Sequence, residues 1–508
     1  MAGPSGDRYD VVVVGGGHNA LAAAAYLAGA GRAVVVLERS AALGGAARSE
    51  RLFPSHGARL SQYAYLVSLL PEQIVDELGL DVTLGRRTVS SYTPVGEGGI
   101  LVDRADRAGT RAALGVDADA WDELYARTAA FAERVFPTMI EPLRSRDDLR
   151  RHVGDDGAWT DFVERPIGEL LERELRTDVA RGIVLTDALI GTFTSAHDLA
   201  ANRCFLYHVI GRGTGDWDVP IGGMGTVSAQ LAAAARQRGA ELVTDADVTA
   251  ITTDGREATV TLVDGDTVRA RHVLAGVAPA VLTRLTTGAA GSRDEWPEGA
   301  QVKINMLLSH LPRLRDRGVS PHRAFAGTFH VNEGYEQLAR AHRQAASGIV
   351  PTVAPCEVYC HSLTDPTILD DALRAAGVQT LTLFALHMPA RLFRADPTGA
   401  LAQARSSILA SLDSVLDEPI ESCLLAPECI EVVGPLEIED RLGMPGGHIF
   451  HRDLQWPFAE READVGRWGV ETADANVWVC GAGARRGGGV SAIPGRNAAM
   501  AVLAADTH

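Results

Sequence analysis

Residues 9–38 carry the densest chemistry in this 508-residue chain. Gly15-Gly16-Gly17-His18-Asn19-Ala20 fits G-x-G-x-x-A and follows the apolar run Tyr9–Val14. A β-branched run without polar interruption is the pattern of a parallel strand buried on both faces. The alanine-rich stretch Ala20–Ala28 predicts a helix, and Ala33–Leu37 predicts a second strand closed by Glu38. Each part has a chemical use. Gly15 permits a tight turn, Gly17 lets the backbone approach a pyrophosphate, and Ala20 lets helix and strand pack closely. His18 and Asn19 stand at the helix start, where unpaired N–H groups attract phosphate. Glu38 can accept hydrogen bonds from ribose hydroxyls and disfavours a 2′-phosphate.

Two further places offer reactive groups. Lys303 is the only lysine among the 48 Lys and Arg residues. In residues 300–309 (AQVKINMLLS), alternation puts Val302, Ile304 and Met306 on one strand face and Lys303 and Asn305 on the other. A compact amine whose pKa falls on burial can do what arginine does not. Arg485-Arg486 precedes the run Gly487–Gly489 and can meet an anionic substrate or stabilise a reduced cofactor. Lys303, Arg485 and Arg486 are therefore the candidate catalytic residues. His448 and His451, three apart in an expected strand, point to opposite faces, and the neighbours Cys360 and His361 point apart. No metal is expected.

The surrounding pattern supplies the elements that must hold these groups. Residues 219–254 read as a glycine-rich turn, a helix (Val227–Arg238) and two strands (Glu241–Val243, Val248–Thr252). A hairpin with an Asp264-Gly265 turn follows, then an apolar strand, His272–Gly276. Gly222-Gly223-Met224-Gly225 lacks a preceding buried strand, so a second nucleotide site is not expected. Val477–Val479 predicts a strand leading through glycines to a helix across Asn497–Leu503. Residues 110–214 and 310–425 read as helix-rich.

Composition narrows the function classes. A net charge of −17 argues against general nucleic-acid binding and against attraction to an anionic membrane. Residues 11–37, the longest apolar stretch, are too interrupted to span a bilayer. No secretory signal is read at the N-terminus, and six cysteines without C-x-x-C spacing fit a reducing cytoplasm.

Glu38 is followed by five residues, the pair Gly44-Gly45, and then Arg48. This resembles the extended FAD signature of the flavin amine oxidase and phytoene desaturase superfamily. With Gly222–Gly225 and residues 436–453 and 483–499, the chain is similar to the branch of pyridine nucleotide-disulfide oxidoreductase domain-containing protein 2. The resemblance implies an α/β, Rossmann-like FAD domain assembled from residues 1–90, 215–300 and 426–508. A mixed sheet-and-helix cap would comprise residues 91–214 and 301–425. It implies FAD contacts at Gly15, Gly17, His18, Asn19, Ala20, Glu38, Arg39, Gly44, Gly45, Ala46 and Arg48. Val248 would hold the adenine through its backbone, and Gly481, Gly489 and Val490 would meet the flavin pyrimidine. Lys303 resembles a lysine that holds a water near flavin N5. His56, Gln62 and Tyr63 would pass the isoalloxazine.

The sequence departs from the family twice. It has Gly-Gly-Ala-Ala-Arg where Gly-Gly-Arg is usual, and Arg485-Arg486 where an uncharged pair is common. The implied reaction is hydride transfer from a substrate C–H to flavin N5, as desaturation or amine oxidation, with O2 or a quinone as acceptor. The expected partner is a small, largely apolar molecule, and homodimerisation stays open. Two alternatives stand beside this: a lipid-binding chaperone like the Rab GDP-dissociation inhibitors, and a redox-neutral flavin-dependent isomerase.

Overall fold

The computed structural model describes residues 3–289 and 296–506. Two seven-stranded sheets organise them. In the first, the strand Arg8–Val14 lies between Val34–Leu37 and Thr267–Ala275, parallel to both. Val477–Val479 adds in parallel beside Thr267–Ala275, and Glu241–Val243 adds beside Val34–Leu37. Val248–Thr253 and Ala258–Leu262 extend the sheet as an antiparallel ribbon. Val11, Val12 and Val13 are wholly buried, as an uninterrupted apolar parallel strand must be.

Three helices cover this sheet at the turn: His18–Gly29, Gly225–Gln237 and Ile493–Ala505. The last approaches the first so closely that a Cβ on Gly495 would fall 1.9 Å from the Asn19 carbonyl oxygen. Glycine is the only residue that permits this crossing.

The second sheet runs in the order Ile430–Val433, Val302–Leu308, Gln379–Ala385, Cys356–Tyr359, Thr328–Val331, Val89–Val95, Gly98–Asp103. All its pairings are antiparallel except Thr328–Val331 with Val89–Val95. Val302, Ile304, Met306 and Leu308 enter one apolar core, while Lys303 leaves from the other face. From the helical stretch 107–209, Asp187 and Ile190, just past the helix Asp178–Thr186, and His208 of the helix Leu199–Val209 line the cavity.

Several expectations change. Residues 310–425 are helix-rich as read, with Tyr335–Ala346 and Pro397–Asp413 the longest helices, but they also carry three core strands of the second sheet that the sequence did not single out. Those strands are four to seven residues long and buried, and such short apolar runs carry no clear period. The expected break between hairpin and apolar strand is absent, because Thr267–Ala275 is one continuous strand. The strand Ile430–Val433 lies beyond residue 426 yet belongs to the cap sheet. His448 and His451 lie in a turn rather than a strand, and His451 has a φ of +65°.

Candidate active site

The first strand delivers the chain into Gly15, whose φ of +91° favours glycine. Gly17 caps the helix His18–Gly29, and a Cβ added there would meet nothing within 4 Å. The helix N-terminus thus opens onto free space. The Gly44 N–H donates to the Gly16 carbonyl at 2.8 Å, and a Cβ on Gly45 would lie 3.2 Å from Gly17 Cα. The paired glycines therefore lie directly against the first turn, an approach that side chains would block. Glu38 accepts the Gly16 N–H at 2.6 Å on one oxygen and the Ser40 N–H at 2.8 Å on the other. Each oxygen keeps a further lone pair for a ribose hydroxyl. Asn19 is buried, and its Oδ1 has no hydrogen-bond partner. Free space before Gly17 fits the pyrophosphate of FAD, and the acid at residue 38 and the orphaned Asn19 oxygen, both acceptors, fit its sugar hydroxyls.

These groups form one end of a cavity. Gly15, Gly17, His18, Asn19, Ala20, Glu38, Arg39, Gly45, Ala46, Arg48, Val248, Gly481, Gly489 and Val490 all line it. Gly44 does not; it acts through its bond to Gly16. His18 Nε2 lies 3.2 Å from the Gly489 carbonyl, and burial pushes its pKa down to about 4. Arg39 donates to the carbonyls of Asp440 and Arg441, and Arg48 pairs with Glu50 at 2.7 Å. The N–H groups of Gly222 and Gly223 donate to Asp365 Oδ2.

Lys303 lines the far end of the cavity and is 2% exposed. Its Nζ donates to the carbonyls of Ser61 at 2.8 Å and Tyr63 at 2.7 Å, and lies 4.9 Å from the Tyr65 ring centre. Burial drives its pKa well below the usual lysine range, with only Glu431 opposing. A neutral amine spends two N–H groups on the carbonyls and keeps a lone pair. Tyr63 joins it at the wall; His56 and Gln62 do not.

Arg485 and Arg486 do not reach the cavity, which corrects the expectation that they act at the flavin. Arg485 donates to the carbonyls of Trp456 and Phe458 and pairs with Glu460. Arg486, 1% exposed at a φ of +64°, donates to the carbonyls of Thr138, Glu141 and Trp468. A buried guanidinium needs acceptors, and the carbonyl ends of two loops supply them.

Sequence reasoning missed most of the far wall. Asp187, Arg87, His330, Glu357 and Tyr359 all line it. Burial pushes the Asp187 carboxyl up to about 8, with the Glu357 charge adding to the shift. The Glu357 signal was available: a glutamate inside the short apolar run Cys356–Tyr359 has to be buried with the strand.

A Rossmann-like nucleotide turn facing a capping sheet across one cavity defines an FAD-dependent oxidoreductase. The chain belongs to the flavin-containing amine oxidoreductase family, whose model matches residues 21–308. It is 49% identical to an uncharacterized protein of Mycobacterium tuberculosis, over 98% of this chain and 97% of that one. It is 28% identical to mouse pyridine nucleotide-disulfide oxidoreductase domain-containing protein 2, over 98% and 93% of the two chains. Among solved structures, the cyclohexylamine oxidase of Brevibacterium oxydans superposes with a TM-score of 0.59 at 16% identity, covering 98% and 100% of the chains. That likeness concerns the fold. Among the described residues no helix is long and apolar enough to cross a membrane.

Proposed function

We propose that this FAD-dependent oxidoreductase oxidises a small amine with an apolar body. The observation that carries the reading is Asp187, a carboxylate on a cavity wall otherwise rich in aromatic rings, among them Tyr65, Tyr359 and Phe384. An ammonium group finds its counter-charge at Asp187, and its hydrocarbon part finds apolar surface and ring faces. A purely hydrocarbon substrate would offer that half-buried acid no polar partner.

FAD, when bound, accepts two electrons and supplies the redox chemistry. The turn Gly15–Gly17 and the N-terminus of the following helix would hold its pyrophosphate. Glu38 would hold a ribose, Val248 the adenine, and Gly481, Gly489 and Val490 the flavin ring. The remaining work belongs to the protein. Asp187 orients the substrate by its charge, and the ring walls exclude water. The ammonium must lose a proton before its α-carbon gives up hydride. Lys303, whose pKa burial pushes well below the usual lysine range, is placed to take that proton or to fix a water that does. Loss of hydride from carbon leaves an iminium ion, which water hydrolyses to a carbonyl compound and ammonia, or an amine where the nitrogen carries a second carbon. The electrons pass on to O2 or a quinone.

The test is anaerobic mixing of the yellow protein with a panel of primary amines and with isosteric hydrocarbons and polyenes. Bleaching by amines alone is expected. Bleaching by a polyene and by no amine would replace this reading with desaturation.

A further inference from the structure

His330, Glu333 and Glu357 form a cluster that amine oxidation does not use. In the cap sheet, Thr328–Val331 and Cys356–Tyr359 pair antiparallel with His330 directly opposite Glu357. Directly opposed residues project from the same sheet face. Asn332, at a φ of +54°, turns the chain at the strand end and brings Glu333 back beside them. His330 Nε2 and Glu333 Oε2 are 4.0 Å apart, and one donor atom from each of the three residues lies within 4.8 Å of the others.

All three side chains are at least 96% buried, since their exposures are 4%, 1% and 3%. Both oxygens of Glu333 lack a hydrogen-bond partner. A buried carboxylate with no donor is costly unless something positive meets it. Thr186 cannot spare its proton for Glu333, because its Oγ1 donates to Glu357 Oε1 at 3.0 Å. The Tyr359 hydroxyl donates to the other Glu357 oxygen. His330 Nδ1 lies 3.0 Å from Thr93 Oγ1. With the proton on Nδ1 and donated to Thr93, Nε2 presents a lone pair to the cluster. Outer hydrogen bonds of this kind orient metal ligands. Asp187 acts electrostatically on Glu333, and Arg87 on His330 and Glu357, while Arg87 donates to the Trp217 carbonyl and Thr328 Oγ1.

We propose that His330, Glu333 and Glu357 bind a divalent transition-metal ion in the wall of the cavity. An imidazole with two carboxylates suits zinc, iron(II) or manganese, and the two carboxylates neutralise the dication. Zinc–ligand bonds of about 2.0–2.2 Å put tetrahedral donor atoms about 3.3 Å apart, so the donor pairs, 4.0 Å apart for His330 and Glu333 and within 4.8 Å for the others, close by up to about 1.5 Å. His330 and Glu357 line the cavity, which gives the ion its entry path and leaves a fourth position open to water or substrate. The site goes beyond the amine reading and does not depend on it.

The experiment uses the full FAD-loaded chain, stripped with a chelator, dialysed against micromolar Zn2+, and assayed for bound zinc and flavin together. The wild type is expected to retain one zinc per chain. Glu333→Gln and His330→Gln are expected to weaken binding by more than about tenfold with flavin absorbance unchanged. His310→Gln, in the separate cluster His310, Glu418 and Cys423, serves as the control and should keep wild-type zinc. If the buried substitutions prevent folding, Thr93→Val reads the same site from outside the ligand set and should weaken zinc by about tenfold. A wild type that retains no zinc, or His330, Glu333 and Thr93 variants that bind as the wild type does, would overturn the proposal.

Discussion

Lys303 Nζ donates to the Tyr63 carbonyl at 2.7 Å, tying the cap sheet to the segment that follows the paired glycines. The bond joins the two halves of the molecule at the cavity wall. It also fixes the one lysine of the chain where the proposed amine oxidation needs a proton acceptor.

Lys303→Met should leave FAD bound and slow flavin reduction by amine by about 10²- to 10⁴-fold, the usual worth of a positioned proton acceptor. Stopped-flow absorbance checks this. An unchanged rate would leave Lys303 a tie between domains and nothing more.

The same substitution changes the pH dependence of stability. The folded-state pKa of Lys303 lies well below its value in the unfolded chain. Between those two values the unfolded chain binds more protons, so this residue makes stability rise with pH across that window. Lys303→Met should remove the rise. Denaturant melts of the FAD-loaded protein at several pH values between neutrality and about 10.5, the lysine reference value, measure it.

Asp187 titrates near 8 through burial and the Glu357 charge. Above that pH it is a carboxylate, while an alkylamine with a pKa near that of lysine, about 10.4, is still a cation. KM for an amine should therefore fall as pH rises through 8, and Asp187→Asn should raise KM and flatten the profile. A raised carboxyl has the opposite linkage to Lys303: its stabilisation is present at acid pH and lost as pH rises through about 8. A KM profile that is the same in both proteins would remove Asp187 from substrate binding.

Gly17→Asp places bulk and negative charge in the open space before the helix N-terminus. The purified variant should be colourless while keeping its far-ultraviolet circular dichroism. A fully yellow variant would contradict the phosphate-turn assignment.

Arg486→Ala removes three buried bonds to carbonyls. Hydrogen bonds to a charged group contribute about 1.5–3 kcal/mol each, and relaxation of the loops recovers part of it, so a loss of about 3 kcal/mol is expected in denaturant unfolding. The rate per bound FAD should not change, because Arg486 does not line the cavity. A large fall in that rate would restore a direct role.

The strand, glycine turn and helix of the candidate nucleotide end were legible because they are local. The strand Arg8–Val14, the turn at Gly15 and the helix His18–Gly29 are consecutive, so spacing alone carries their geometry. Lys303 was found by its singularity and by strand alternation, both one-dimensional signals. Arg485 and Arg486 were misplaced because adjacency to a glycine run does not say which way a side chain turns, and positive φ at Arg486 is a tertiary outcome.

By itself the sequence determined the class of cofactor and the strand that carries Lys303. Only the tertiary structure decided what lines the far wall of the cavity. Asp187 comes from the end of a helix, Glu357 from a cap strand, and Arg87 from the loop before Val89–Val95. Their meeting depends on sheet register and on packing between segments hundreds of residues apart. Burial then sets their charge states, because desolvation is a property of the assembled cavity and not of any stretch of chain.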